Sequence, residues 1–188
     1  MFSPRSWILT SAAALAAGAA LGSLTRLLEA NASTGVRAAY LVLNEAWPWS
    51  ALAFCVGLAG ASRIASAALA AVSLAAAVAA YYAVDAHATW AGFLPATLAW
   101  GAVALVVGPF LGLAGNLART RGLRGLPFRL MIPLLAVVET SARLRAEVSL
   151  QGSVGETAWT ITRLAAVVAC LALAAHTVLI NRRHRSER

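Results

Sequence analysis

Glu139 and Arg143 are the residues whose types and spacing are best suited to chemistry in this chain. They lie four positions apart in the apolar segment 127–145, so a helix places them on one face. Glu139 lies about 9 Å inside one end of that segment, at 1.5 Å per residue. A carboxylate at that depth in a membrane is costly unless it is paired or faces water. The pair predicts either a binding site for a charged group or a structural ion pair.

A polar step and a proline interrupt the second apolar segment. Asn44 and Glu45 stand directly before Trp47, Pro48 and Trp49. Proline removes a backbone donor and disfavours helix at the preceding residue, so we expect this crossing to be broken near Pro48. Broken backbone inside a membrane is tolerated where it is buried in protein or lines a cavity. This interruption predicts either a pocket in which indole rings stack on a ligand, or a re-entrant segment that only packs against other helices.

Aromatic and polar residues also end the third apolar segment, at Tyr81, Tyr82 and Asp85. An interfacial aromatic belt would account for the tyrosines, and Trp159 near another segment end fits the same description. Read as six crossings, however, the chain brings all three polar groups to one side of the membrane, as in a binding pocket. We therefore predict a ligand site formed by Glu139, Arg143, Asn44, Glu45, Trp47, Trp49, Tyr81, Tyr82 and Asp85.

The elements that position these residues are membrane-spanning helices. The chain has 188 residues and is 61% apolar and 12% charged, against about 25% charged in an average soluble domain. Apolar runs of about 20 residues match the thickness of a bilayer core. We predict an all-α, polytopic membrane bundle, with one integral membrane domain over residues 1–188. Its six transmembrane helices are expected at about 7–29, 38–61, 64–85, 94–119, 127–145 and 158–181.

Charge sorts to opposite sides of these crossings. All fifteen basic residues are arginine, and ten fall on the side of the N-terminus, whereas six of the seven acids fall on the other side. The positive-inside rule then places the N and C termini in the cytoplasm. The net charge of +8 clusters beside apolar runs, which favours contact with anionic lipid and no binding of nucleic acid. The arginine- and alanine-rich composition is typical of a GC-rich bacterial genome, which predicts a multi-pass protein of the bacterial plasma membrane.

Metal and cofactor chemistry has little support in the sequence. Cys55 and Cys170 lie singly in apolar segments without metal-ligand spacing, so we expect no metal and no cofactor. A lipid-acting enzyme would need a second acid or base within reach of Glu139, for which Glu45 and Asp85 are the candidates.

Small residues recur on one face of the first segment. Ala14, Gly18 and Gly22 are spaced by four, and such a stripe lets helix backbones approach closely in lipid. It predicts either packing within this chain or a docking face for a membrane partner subunit.

Several short motifs carry a family resemblance. They are the run from Leu43 to Trp49 with Ala53 and Phe54, then Tyr81-Tyr82, Gly108-Pro109 with Gly112, and Glu139. They resemble an uncharacterised family of small six-helix integral membrane proteins from actinobacteria. More loosely, the chain is similar to the substrate-binding subunits of energy-coupling-factor transporters. That likeness implies a substrate held near the outer surface and a coupling partner docked on the first helix.

These patterns favour a membrane protein that binds a small molecule at an outer-side intramembrane pocket and takes part in its transport with a partner. The first alternative is a non-transporting structural or assembly subunit, whose charges only hold helices together. The second alternative is a lipid-acting membrane enzyme.

Overall fold

The structure, a computed structural model, describes residues 4–30, 33–84, 90–146 and 148–186. Every regular element in these ranges is helical, which confirms the predicted all-α class for the described residues. The elements are α1 (Pro4–Glu29), α2 (Thr34–Leu43), α3 (Ala46–Ala59), α4 (Arg63–Ala83), α5 (Trp90–Ala118), a 3-10 turn (Gly122–Gly125), α6 (Leu126–Ala146) and α7 (Val148–Ser186).

Most of these helices have the length and composition of membrane spans. Within the described ranges, five of them are long and apolar enough to cross a bilayer on their own, namely α1, α4, α5, α6 and α7. Helices α2 and α3 pass that test only as a pair, and they are bent by 59° at the break between them. The molecule therefore has five candidate spans, or six if the bent pair is one span.

Helices α3, α4 and α5 form the tightly packed centre of the bundle. A Cβ atom added at Gly108 or Gly112 of α5 would overlap the backbone of Ala71 or Ser66 in α4. At Gly57 the backbone of α3 comes equally close to α5. Close approach of this kind supports helix association in lipid, so these glycines fix the distances between the three helices.

Helix α1 packs along α4 through the stripe of small residues. Ala14, Gly18 and Gly22 are all buried, and a Cβ atom at Gly18 would overlap the carbonyl group of Ser73. The Ser73 hydroxyl donates a hydrogen bond of 2.8 Å to the carbonyl oxygen of Ala14. The stripe thus packs within this chain, which is the first of the two predicted alternatives, and docking of a membrane partner at Ala14, Gly18 and Gly22 stays a prediction.

Helices α5 and α6 pack together beside the turn that joins them and enclose a space further along. At the joined end, a buried cluster is formed by Phe54, Ala114 and Ala118 with Phe128, Met131 and Ile132. Beyond it, α5 contains Pro109 and α6 contains Pro133, and proline is a common cause of a helix kink. Both helices then line the cavity described below.

At the end of the bundle where the 3-10 turn joins α5 to α6, arginine side chains bind carbonyl groups at helix ends. Arg129 donates to the carbonyl oxygens of Ala118 and Thr120 at 2.8 and 2.6 Å. Arg119 donates to the carbonyl oxygen of Gly60, just after α3, at 3.0 Å. The last carbonyls of a helix lack partners within it, and cationic side chains are favourable there.

Candidate functional site

The candidate site is built around the break between α2 and α3. Asn44 has φ −84° and ψ 1°, and Glu45 is extended with φ −79° and ψ 160°, so the helix direction changes within two residues. Pro48 follows as the third residue of α3. In the first turn of a helix the missing N–H of proline costs no intrahelical bond. The helical segment is thus broken near Pro48, as predicted, a few residues before the proline itself.

Glu139 of α6 caps the N-terminus of α3. Its Oε1 accepts a hydrogen bond from the backbone N–H of Ala46 at 2.8 Å, and its Oε2 accepts one from Trp47 at 2.9 Å. The first N–H groups of a helix have no partners within it, and Glu45 at the N-cap position makes no side-chain cap. A carboxylate from another helix takes that role, and the dipole of α3 favours its negative charge.

Glu45 forms a buried ionic cluster with two other helices. Its Oε2 accepts a hydrogen bond from Nε of Arg143 at 3.0 Å, and its Oε1 accepts one from Nε1 of Trp159 at 3.1 Å. A buried carboxylate is tolerated when it is paired and hydrogen-bonded in this way. Sequence spacing pairs Arg143 with Glu139 on α6, whereas the ion pair in the structure joins Arg143 to Glu45, a residue outside α6.

Trp159 is a site residue that sequence reasoning misses. Its position near a segment end suggested an interfacial aromatic, but its side chain is only 1% exposed. The burial follows from the hydrogen bond to Glu45, which lies 114 residues earlier in the chain. No local pattern in the sequence signals a contact of that separation.

Aromatic side chains close the break from the α2 and α4 sides. Nε1 of Trp49 donates to the carbonyl oxygen of Leu43 at 2.9 Å, which satisfies one of the last carbonyls of α2. Nδ2 of Asn44 donates to Oη of Tyr40 at 3.1 Å. The ring of Trp49 meets that of Tyr81 edge-on, with centroids 6.1 Å apart.

Tyr81 also connects the site to α1. Its hydroxyl donates to Oε2 of Glu29 at 2.8 Å, and Glu29 is ion-paired with Arg26. The Arg26 guanidinium lies 5.7 Å from the centroid of the Tyr81 ring. On the other side, the Tyr82 ring is edge-on to Tyr81 at 5.1 Å. Tyr81 is therefore held in place by charge, hydrogen bond and ring contacts.

A cavity of about 500 Å³ lies beside the break, between α3, α4, α5 and α6. Its size falls in the range of roughly 300–1,000 Å³ that is usual for ligand pockets. Seven of the nine predicted binding residues line it, namely Asn44, Glu45, Trp49, Tyr81, Tyr82, Glu139 and Arg143. Ligand binding by these residues stays a prediction.

Two predicted residues remain, and one of them, Trp47, does not line the cavity. Trp47 gives its backbone N–H to Glu139, and its buried indole N–H has no hydrogen-bond partner among the described residues. Asp85 lies outside the described residues. Conversely, Trp100 lines the cavity without having been predicted. Its position six residues inside the predicted crossing 94–119 is the signal that could have singled it out.

The side chains at the site can provide charge, hydrogen bonds and aromatic surface to a ligand. In the described part of the chain, no group of three or more His, Cys, Asp or Glu side chains is arranged to hold a metal ion. Both oxygens of Glu139 accept backbone hydrogen bonds, so this carboxylate is suited to fixing geometry and electrostatic potential.

The helices and the site define a multi-pass helical membrane protein with an internal cavity. The chain belongs to a family of unknown function (DUF6518), whose profile matches residues 1–187. This confirms the resemblance to an uncharacterised family, whereas its actinobacterial origin and the likeness to energy-coupling-factor subunits stay predictions. No curated protein and no solved structure matches the chain.

Proposed function

We propose that this protein binds a small molecule in the cavity beside the α2–α3 break and takes part in moving it across the membrane with a partner protein. The observation that carries the proposal is the cavity itself, which is lined by seven of the binding residues predicted from the sequence. Ionisable residues within membrane-spanning segments are rare, and they commonly mark substrate pathways.

The proposed binding groups are already held in position by the protein. Hydrogen bonds hold the Glu139 carboxylate at the N-terminus of α3 and the Arg143 guanidinium against Glu45. Trp49 and Tyr81 are each oriented by a hydrogen bond. Preorganised groups lose little freedom when a ligand arrives, which favours binding.

The proposed topology has six crossings, with α2 and α3 as one broken span and both termini in the cytoplasm. The arginine-capped end of the bundle then lies on the cytoplasmic side, and the cavity lies in the outer half of the membrane. The positive-inside rule supports this orientation. The proposed location is the bacterial plasma membrane.

Two adjacent valines of α5 allow a test of the cavity. Val107 lines it, whereas Val106 does not and is more exposed. We would purify the wild type, Val107→Trp and Val106→Trp in dodecyl maltoside micelles and screen a metabolite library by thermal unfolding. We expect compounds that raise the Tm of the wild type and Val106→Trp, but not of Val107→Trp, because the new indole fills the cavity. A library in which no compound separates the two variants would argue against ligand binding there.

A structural subunit is the second candidate, and one observation favours it. Glu45, Glu139 and Arg143 all bind groups of other elements in this chain, so each also holds helices together. Under this alternative, Val107→Trp changes stability or assembly without affecting the response to any compound.

A further inference from the structure

The cavity is lined along considerable lengths of α4 and α5. Its lining on α5 extends from Trp100 to Leu111, which is about 16 Å of helix at 1.5 Å per residue. On α4 it extends from Tyr82 to Leu74, or about 12 Å. The lining therefore runs along both helices, from the α2–α3 break into the bundle.

The two ends of the cavity differ in chemistry. The end at the α2–α3 break carries the ionic residues Glu45, Glu139 and Arg143. The deep end is apolar and belongs to one buried cluster, which includes Leu74, Val78, Ala104 and Leu111. A ligand that fills both ends must have a polar head and an apolar tail.

Aromatic rings concentrate at the ionic end. Helices α4 and α5 run antiparallel and touch at Ala71 and Gly108. Trp100 lies eight residues before Gly108 on α5, so it lies opposite a position eight residues after Ala71 on the antiparallel α4. That position is about one helical turn before Tyr82. Trp100 therefore faces the same end of the cavity as the other rings.

Four rings line the cavity, from Trp49, Tyr81, Tyr82 and Trp100, and one of them, Tyr81, already attracts the Arg26 guanidinium. The centroids of neighbouring rings lie 6.1 Å apart for Trp49 and Tyr81, and 5.1 Å apart for Tyr81 and Tyr82. The faces of such rings attract cations, and aromatic cages are a common means of binding quaternary ammonium groups.

The charge balance also favours a cation. Arg143 neutralises Glu45, so Glu139 leaves the ionic end with a formal negative charge. The N-terminus of α3 offsets only part of it, since a helix dipole is equivalent to about half a positive charge. The negative charge that remains would repel an anionic head group.

The side of the cavity opens toward lipid. Trp100, Val103 and Val107 line it, yet they are 57%, 47% and 41% exposed. All three lie inside the candidate span Phe93–Ala118, which is long and apolar enough to cross the hydrocarbon core of a bilayer. A ligand with an apolar tail can therefore enter sideways from the membrane.

We infer that the ligand is an organic cation with an apolar chain, an alkylammonium amphiphile whose head lies among the four rings and whose tail lies along α5. This inference rests on the proposed function and specifies its ligand class. Binding is non-covalent, and the ligand reaches the cavity through its open side.

Three probes with one eight-carbon chain test the head group. Octyltrimethylammonium, octanol and octanoate would be titrated into the wild type, Val107→Trp and Val106→Trp in dodecyl maltoside micelles, with Tm and tryptophan fluorescence as readouts. We expect the ammonium probe to bind the wild type and Val106→Trp about tenfold more tightly than octanol, and octanoate to bind more weakly still. Val107→Trp should lose this preference.

A ring substitution separates head recognition from general folding. Trp100→Leu should weaken binding of octyltrimethylammonium about fivefold or more and leave that of octanol unchanged, whereas Trp100→Phe should retain most of the affinity. Trp7→Leu, at an exposed tryptophan of α1, is the matched control and should change neither.

The possible failures point to different parts of the argument. Tighter binding of octanoate or octanol that is lost in Val107→Trp overturns the cationic class and leaves the proposed cavity function standing. Equal responses of Val107→Trp and the wild type to all three probes overturn the placement of the chain in the cavity. The proposed function fails separately, when no compound of the library distinguishes Val107→Trp from Val106→Trp.

Discussion

Glu45 and Glu139 stabilise the same break in different ways. Glu139 supplies the cap that α3 cannot obtain from its own N-cap residue. Glu45 turns away from α3 and accepts hydrogen bonds from Arg143 and Trp159. Each carboxylate therefore has donors from the protein before any ligand arrives. A ligand at this end meets an electrostatic potential that is already set, as expected of a preorganised site.

Replacement of Glu139 by Gln should weaken the cap and the proposed binding together. The side-chain amide keeps one oxygen as acceptor and directs an N–H₂ group at a backbone donor. We expect the free energy of unfolding to fall by about 1–3 kcal/mol, the usual cost of leaving a donor without its partner. Stabilisation by any ligand of the cavity should also be lost. Thermal unfolding in micelles, with and without the compound, measures both effects.

Glu156→Gln serves as the control for this variant, because Glu156 is exposed and does not line the cavity. It should unfold and bind like the wild type. If Glu139→Gln binds a cavity ligand with unchanged affinity, Glu139 is a structural cap and has no part in recognition.

Trp159→Phe should show how strongly the buried indole supports Glu45. Phenylalanine keeps an aromatic ring and removes the N–H donor, so Oε1 of Glu45 loses its partner at 3.1 Å. Hydrogen bonds to charged groups contribute about 1.5–3 kcal/mol, so we expect a loss of that size in the free energy of unfolding. Trp7→Phe, at an exposed position, should leave it unchanged. A loss no larger than that of the control would mean that water or another donor replaces the indole.

The residue types of the site were predictable because they are costly or disruptive in a membrane. Glu139 and the Asn44-Glu45 step stand out for that reason, and the tyrosines stand out by their position. Their partners were not predictable, since Glu45 meets Trp159 across 114 residues and Ala46 meets Glu139 across 93. Such contacts are set by how whole helices pack.

At the scale of the helices, close backbone contacts limit which positions tolerate a side chain. Gly22→Ala places a Cβ atom against the carbonyl group of Ala77, so α1 and α4 must separate. We expect a loss of about 1–3 kcal/mol or more, as in other overpacked interiors. Gly101→Ala on α5 is the matched control, because nothing lies within 4 Å of its added Cβ atom. It should be neutral or stabilising by up to about 1 kcal/mol.

The same pair of variants separates internal packing from partner docking, when each is compared as an isolated protein. Equal thermal unfolding of Gly22→Ala and Gly101→Ala in micelles would contradict the α1–α4 contact and would favour the alternative that the stripe is a docking face for a partner.

The positions of helices are predictable from the sequence where they depend on the length of an apolar segment or on a proline. The break before Pro48 is such a case. The region between the last two predicted crossings is not, because those crossings were placed at 127–145 and 158–181 with no helix between them. The structure extends α7 back to Val148 with an interruption at Gly152, whose φ is 64°. A hydrogen bond from Arg37 to Gln151 ties this extension to α2, and local propensity contains no information about that contact.

At the scale of the whole molecule, the two ends of the bundle are chemically unlike. One end has arginines on helix carbonyls, as at Arg119 and Arg129. The other has carboxylates on backbone N–H groups and on Arg143. Ligand access from outside and contact with a cytoplasmic partner would therefore use different ends. The number of crossings decides whether both termini share the arginine-capped side.

Cysteine labelling of the segments before and after the bent pair tests that topology. In a Cys55→Ala, Cys170→Ala background, Thr34→Cys and Ala61→Cys place single thiols at exposed positions at the start of α2 and after α3. If the pair is one broken span, a membrane-impermeant maleimide should label Thr34→Cys in intact cells, and Ala61→Cys only after permeabilisation. If both thiols are labelled from the same side, the pair is a re-entrant loop. The chain then has five spans, its termini face opposite sides, and the outer placement of the cavity loses the charge argument on which it rests.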